Sequence, residues 1–301
     1  MIGARHFEAG GVAWRAKSDG SPVGVADHEI ERTLRALVGE ARPEDAFLGE
    51  EFGARGVGRR RWIVDAIDGT ASFVAGEPEW GTLIALDSGD AVAVGVVTAA
   101  ACGRRWWAAR GGGAWSAGLP MSTDLDLAMD PRAPLVGLPM SPVAPRAHLP
   151  MDPAAAPTRL AVNTATDLRD SSIGIWPPPA RLNPRGRQLA ATLAACARTT
   201  LPSLDWSSSL TPTAPVRKPS TGSGTCHGAL LVATGRLDAF LLLGAGAWDV
   251  AALVPIVEEA GGAYSDLADH RSGDARTALF SARGIHQQIL DIAARPTPPS
   301  A

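Results

Sequence analysis

A chain of 301 residues, 46% hydrophobic and 20% charged, is long enough to enclose one large α/β core or two smaller ones and too apolar to stay disordered. Its 28 Lys and Arg stand against 31 Asp and Glu, a net charge of −3, which excludes the strong positive field of a nucleic-acid or anionic-membrane binder and leaves small molecules as the expected partners.

In chain order, residues 26–41 (ADHEIERTLRALVGEA) set Ile30, Leu34, Leu37 and Val38 on one apolar stripe, which predicts an amphipathic helix with Asp27 near its start and Pro43 just beyond its end. The runs WIVDAI (62–67), WGTLIALD (80–87) and AVAVGVV (91–97) are short, rich in β-branched and aromatic residues and bounded by Gly, Pro, Asp and Ser, so they read as consecutive strands. RRWWAAR (104–110) is a fourth, stopped by the turn signal Gly111 to Gly113. From 133 to 223 prolines crowd in, and only RQLAATLAACAR (187–198) has helical periodicity. That shift predicts a seam between an N-terminal α+β half, 1–132, and a C-terminal α/β half, 133–301. Order returns with TCHGALLVATG (225–235) as a helix, RLDAFLLL (236–243) as a strand, AWDVAALVPIVEEAGG (247–262) as one helix closed by glycines, and IHQQILDIAAR (285–295) as the last helix. Interleaved strands and helices predict mixed α/β layers.

Three cysteines, Cys102, Cys196 and Cys226, are odd in number and never spaced C-x-x-C, so neither a disulfide framework nor a zinc site is expected. The N-terminus mixes charge with glycine, and no apolar run reaches the roughly 18 residues of a membrane span. The expected location is the cytoplasm.

Acidic residues collect at Asp27, at Glu50 and Glu51 in FLGEEFG, at Asp65 and Asp68 in WIVDAIDGTASF (62–73), and at Asp249 in AWDVAAL. Asp27 and Asp249 have a plain alternative as helix-start residues facing the macrodipole, and Glu50 with Glu51 as a solvated turn. Asp65 is harder to explain that way. It lies inside an apolar run, where an unpaired carboxylate carries a heavy desolvation cost. A hard cation such as Mg²⁺ offsets that cost when carboxylates from separate segments converge on it. Asp65 and Asp68 are three apart, and in a regular strand odd spacing sends them to opposite faces, so a turn at Ala66–Ile67 is expected between them. Gly69 then permits close backbone approach and Thr70 adds a hydroxyl, a pairing suited to a phosphate.

Four ordered stretches resemble the inositol monophosphatase family: KSDGSPVGVAD (17–27), FLGEE (47–51), WIVDAIDGTASF and WDVAALVPIVEEAGG (248–262). The resemblance implies a layered α-β-α-β-α sandwich and a Mg²⁺-dependent phosphatase of small phosphate monoesters. It implies that Glu50, Asp65 and the Ile67 carbonyl hold one Mg²⁺, that Asp65, Asp68 and Asp249 hold a second, and that a third weaker ion uses Glu50 and waters. It implies too that the Gly69 and Thr70 backbone holds the phosphate, that Thr70 paired with Asp27 orients and deprotonates the attacking water, and that the protein is a homodimer. SFVAGEPEWGTLIAL (72–86) and ALVPIVEEAGG (252–262) are most similar to the histidinol-phosphatase branch, which shares Pro255.

Departures fall on the substrate side. Ala66 replaces the usual Pro of the motif, Ser72 its Asn, and Gly24 a Thr. Leu242 stands seven residues before Asp249, where the family has a substrate-contacting Glu, and Gly224-Thr225-Cys226 stands where the histidinol branch has Gly-Asp-Cys. Thr225, Cys226, His227 and Leu242 are therefore the candidate selectivity residues. Losing two acids argues against a cationic amino-alcohol and favours, as the alternative, a nucleotide or another phosphorylated intermediate of specialised metabolism. A catalytically silent binding protein of the same fold is the alternative of another class, and a silent member is expected to have lost some of Glu50, Asp65, Asp68, Thr70 and Asp249. Arg59 to Arg61 read as a solvated loop, Trp106 and Trp107 as strand residues of a core, and Cys226 as a small buried side chain rather than a nucleophile.

Overall fold

The computed structural model describes residues 2–8, 14–16, 22–119, 156–178, 181–201, 226–271 and 276–295. Thr225, the seam expected near 133 and most of the Pro-rich stretch lie outside the described residues. The helices are α1 (Ile2–Glu8), α2 (Val25–Ala41), α3 (Thr70–Ala75), α4 (Pro184–Cys196), α5 (Cys226–Ala233), α6 (Ala247–Val250), α7 (Leu253–Glu259) and α8 (Arg283–Ala293). The strands are β1 (Trp14–Ala16), β2 (Pro22–Gly24), β3 (Ala46–Gly49), β4 (Gly53–Arg55), β5 (Arg61–Asp68), β6 (Gly81–Asp87), β7 (Val92–Ala99), β8 (Arg104–Ala109), β9 (Ala114–Gly118), β10 (Thr158–Arg159), β11 (Ser172–Trp176), β12 (Thr199–Leu201), β13 (Ala239–Leu243), β14 (Ala263–Ser265) and β15 (Thr277–Ser281).

An eight-stranded sheet runs β10-β9-β8-β7-β6-β5-β3-β4, and a five-stranded sheet runs β12-β11-β13-β15-β14. Among the described residues, only β3 and β5 pair in parallel in the first sheet, while β12, β11 and β13 form the parallel part of the second. One cluster of buried residues joins Ile63, Leu83, Val97 and Trp106 of the larger sheet to Leu230, Phe240, Ile256 and Phe280 of the C-terminal half, with α5 and α7 between the sheets. A second cluster sets α4 and α8 against the outer face of the smaller sheet through Ile173, Leu193, Leu279, Ile285 and Ile289. A third packs α1 and α2 on the larger sheet through Phe7, Ile30, Ile67, Phe73 and Trp80. The layers therefore run α-β-α-β-α, as the resemblance implied.

Two local expectations are corrected. The helix expected over 247–262 is two helices, α6 and α7, parted at Ala251–Ala252. Pro255 has no N–H to offer the Ala251 carbonyl and its ring crowds that carbonyl, so it is accommodated only in the first turn of a new helix, where backbone donors have no intrahelical partner. The break lets the chain come against β7: a Cβ placed on Gly95 would lie 2.0 Å from the Ala252 carbonyl oxygen and 2.8 Å from Pro255 Cγ. Gly95→Ala is accordingly expected to destabilise the fold by roughly 1–3 kcal/mol, as overpacking does, read as a lower urea midpoint; an unchanged midpoint would show that α7 gives way freely.

The second correction concerns Asp65 and Asp68. No turn separates them, because β5 continues through Asp68. Asp65 pairs with Leu83 and Asp68 with Gly81, so three steps on β5 oppose two on β6, a β-bulge. The extra residue resets the pleat and undoes the alternation that would have put the two carboxylates on opposite faces.

Sequence reading also passed over β3, β9, β11 and the short helices α1 and α3. The triple-glycine turn after β8 has a tertiary anchor, since the Gly111 and Gly113 N–H groups each donate to the Glu259 carboxylate at 2.8 Å.

Candidate active site

The bulged end of β5 brings Asp65 and Asp68 together with Asp249 of α6, and their carboxylate oxygens lie within 4.8 Å of one another. Asp65 is 1% exposed, and its Oδ1 is buried without a hydrogen-bond partner. Burial drives its pKa well up, and the charges of Glu50, Asp68, Asp249 and Asp27 push it the same way. Five carboxylates thus share one field, with Asp65 at its centre. Asp68 is oriented by the Cys226 N–H, which donates to its Oδ2 at 2.8 Å.

Asp27 and Asp249 are held by the same local device. Each is the third residue of its helix and accepts the N–H of the glycine before that helix, Gly24 to Asp27 Oδ2 at 2.9 Å and Gly246 to Asp249 Oδ2 at 2.6 Å. The helix-start reading is therefore correct as far as it goes. In each, one carboxylate oxygen caps the helix, and Asp249 also joins Asp65 and Asp68 in the acidic cluster.

Gly69 has φ 86°, a left-handed conformation that glycine adopts without strain, and it starts α3 at Thr70. The Thr70 hydroxyl lies 2.9 Å from the Ile67 carbonyl and 3.3 Å from Asp27 Oδ1, so its single proton can serve either acceptor. Glu50 stands in the turn after β3, and among neighbouring charges its effect on Asp65 is the largest.

Burial raises the Asp27 carboxyl from 3.8 to about 6, against the lowering Gly24 N–H and with a further push from Glu51. An acid raised on folding supplies stability that is fully present below its unfolded pKa and lost as pH rises through the folded one. The metal-free protein is thus expected to lose melting temperature between about pH 4 and pH 7, and Asp27→Asn to flatten that dependence. A melting temperature that climbs over this interval in the parent protein would contradict the assignment.

The selectivity candidates are placed as follows. Cys226 and His227 open α5, both buried; burial pushes the Cys226 thiol up, helped by Asp68, and pushes the His227 imidazole well down. Leu242 is 1% exposed in β13, within the central apolar cluster. Trp106 is core, and Arg59, Arg60 and Arg61 pair with Asp90, Asp45 and Asp87 at 2.6, 2.8 and 3.3 Å.

One acid at the edge of the site was not singled out from sequence. Glu31, wholly buried, lies four residues after Asp27 on α2 and binds the hairpin tip that carries Glu50. A signal was present: i and i+4 share a helix face, so Glu31 had to stand beside Asp27 rather than in solvent.

A profile of the inositol monophosphatase family matches residues 4–137 and 190–295. The chain belongs to the inositol monophosphatase family. A Chlorobaculum parvum relative named histidinol-phosphatase is 30% identical over 85% of this chain and 77% of its own. A Streptomyces griseus protein named glucose-1-phosphate thymidylyltransferase is 46% identical over 44% of this chain and 52% of its own length. Several curated relatives, this one among them, are spanned over only about half of their length or less. The extragenic suppressor protein SuhB of Bartonella henselae superposes with a TM-score of 0.71 at 20% identity, covering 98% of this chain and 94% of that one, which shows the shared fold. Among the described residues no helix is long and apolar enough to cross a membrane.

The donor set fits the cation that the family resemblance implies. Oxygen ligands only, an orphaned buried carboxylate oxygen and mutually repelling charges around it are what a hard divalent ion relieves.

Proposed function

We propose that the chain is a Mg²⁺-dependent phosphatase of a small-molecule phosphate monoester, working in the cytoplasm as a homodimer. The observation that carries this reading is Asp65, a buried carboxylate with one unpartnered oxygen set between Asp68 and Asp249. Asp65, Asp68, Asp249, Glu50 and the Ile67 carbonyl would hold two or three Mg²⁺. When bound there, such ions lower the pKa of an attacking water and neutralise phosphate and leaving-group charge.

The chain's own groups do the rest. The Gly69 and Thr70 N–H groups, at the left-handed turn into α3, orient the phosphate. Thr70 positions the water with its hydroxyl, and Asp27, reached through that hydroxyl, takes the proton. Retention of Glu50, Asp65, Asp68, Thr70 and Asp249 together speaks against a silent binding protein.

For the substrate, the named relatives support histidinol phosphate and inositol phosphates. A second reading, a nucleotide or other phosphorylated intermediate of specialised metabolism, is supported by Leu242: with an apolar, buried side chain at that position, no carboxylate is supplied to pair with a substrate amine. The test is phosphate release with Mg²⁺ from histidinol phosphate, inositol phosphates, sugar phosphates, and 5′- and 3′-nucleotides. Fastest turnover of histidinol phosphate would overturn the second reading, and no turnover across the panel would favour the binding protein.

A further inference from the structure

We propose that Glu31 is a positioning residue for the metal site, fixing the hairpin tip that delivers Glu50; the proposal rests on the reading of Glu50 as a ligand. The tip joins β3 to β4, a three-residue strand at the edge of the larger sheet. So short an edge hairpin has little intrinsic hold on its own turn. Glu31 supplies it. Its Oε2 accepts the Glu51 N–H at 2.7 Å and its Oε1 the Phe52 N–H at 3.1 Å, binding the two residues that follow Glu50.

The carboxylate is itself locked. Arg35, one turn on along α2, donates to Glu31 Oε1 at 2.9 Å and to the Gly53 carbonyl at 2.8 Å, and its guanidinium lies over the Phe47 ring at 4.8 Å. The approach from β3 is equally tight: a Cβ on Gly49 would fall 2.0 Å from Glu31 Oε1, so only glycine leaves room for this contact. A buried charge this fully bonded is costly to keep for packing alone, since an apolar side chain would fill the same space without desolvation. The geometry gives it a use. Asp27 and Glu31 are one turn apart on α2, so a single helix places the acid that reaches Thr70 and the clamp that places Glu50.

The test is Mg²⁺ binding to the full chain, without phosphate, by isothermal titration calorimetry. Glu31→Ala is expected to weaken Mg²⁺ roughly 10- to 100-fold, the usual loss when the support of a metal ligand is removed. The double variant with Glu50→Ala is expected to bind no more weakly than Glu50→Ala alone, because Glu31 acts through Glu50. Wild-type affinity in folded Glu31→Ala, or losses that add in the double variant, would overturn the proposal. Should Glu31→Ala not fold, Glu31→Gln takes its place: its amide keeps one acceptor oxygen, so an affinity between those of the parent and Glu50→Ala is expected, and parental affinity overturns it. A parent chain that takes up no Mg²⁺ sinks the metal reading itself, and Glu50→Ala that binds like the parent sinks the reading of Glu50 as a ligand; either takes this proposal with it.

Discussion

Replacing Asp65 by Asn is expected to lower Mg²⁺-dependent phosphate release by about a thousandfold or more while raising the melting temperature of the metal-free protein. The activity loss follows from position: Asp65 is the carboxylate on which the other four converge, and losing several kcal/mol of charge stabilisation costs a factor of ten for each 1.4 kcal/mol. The stability gain follows from the same field. Burial and four like-charged neighbours hold the Asp65 carboxyl well above its ordinary range. Folding thus favours the protonated form more than the unfolded chain does, and the stability this supplies is lost as pH rises through the folded pKa. An amide mimics the protonated form at every pH, so Asp65→Asn also flattens the loss of stability toward alkaline pH. Adding Mg²⁺ reverses the order, because only the parent gains the stabilisation that tight binding confers on a folded state. Melting curves with Mg²⁺ and with a chelator, beside a phosphate-release assay, read all of this. A metal-free Asp65→Asn protein that melts below the parent would show that the carboxylate is structural.

The second large effect is expected at Thr70. Thr70→Ala should lower kcat by roughly 10²- to 10⁴-fold, the range of a lost proton-transfer group, and leave KM within about threefold, because the backbone N–H proposed to meet the phosphate is retained. The cap of α3 is Gly69, not Thr70, and alanine is an ordinary occupant of a first helical position, so the fold should survive. Thr70→Ser keeps the hydroxyl between Ile67 O and Asp27 Oδ1 and should keep most of the turnover. Equal losses in kcat and in substrate affinity for Thr70→Ala would place the residue on the phosphate instead of the water.

How much of this was legible in the sequence varies with distance along the chain. The stripe of Ile30 and Leu34 and the apolar run around Asp65 act within a few residues, and α2 and β5 stand where those signals put them, whereas α3 gave no such signal and the turn expected at Ala66–Ile67 is a bulge. Pro255 carried a readable warning against one continuous helix, yet where the chain breaks depends on β7, whose Gly95 admits the Ala252 carbonyl.

What the sequence by itself determined is the set of carboxylates, their order, the family they resemble and the layers that hold them. Local hydrophobic period and turn chemistry suffice for the individual elements, and the resemblance of four ordered motifs implied the family and the layers. Only the tertiary structure decided that Asp65 and Asp68 face one site, since a bulge exists only relative to the partner strand it is counted against. It also decided that Glu31 binds the Glu51 and Phe52 N–H groups beside Glu50, since a clamp between a helix and an edge hairpin 20 residues away has no local signature.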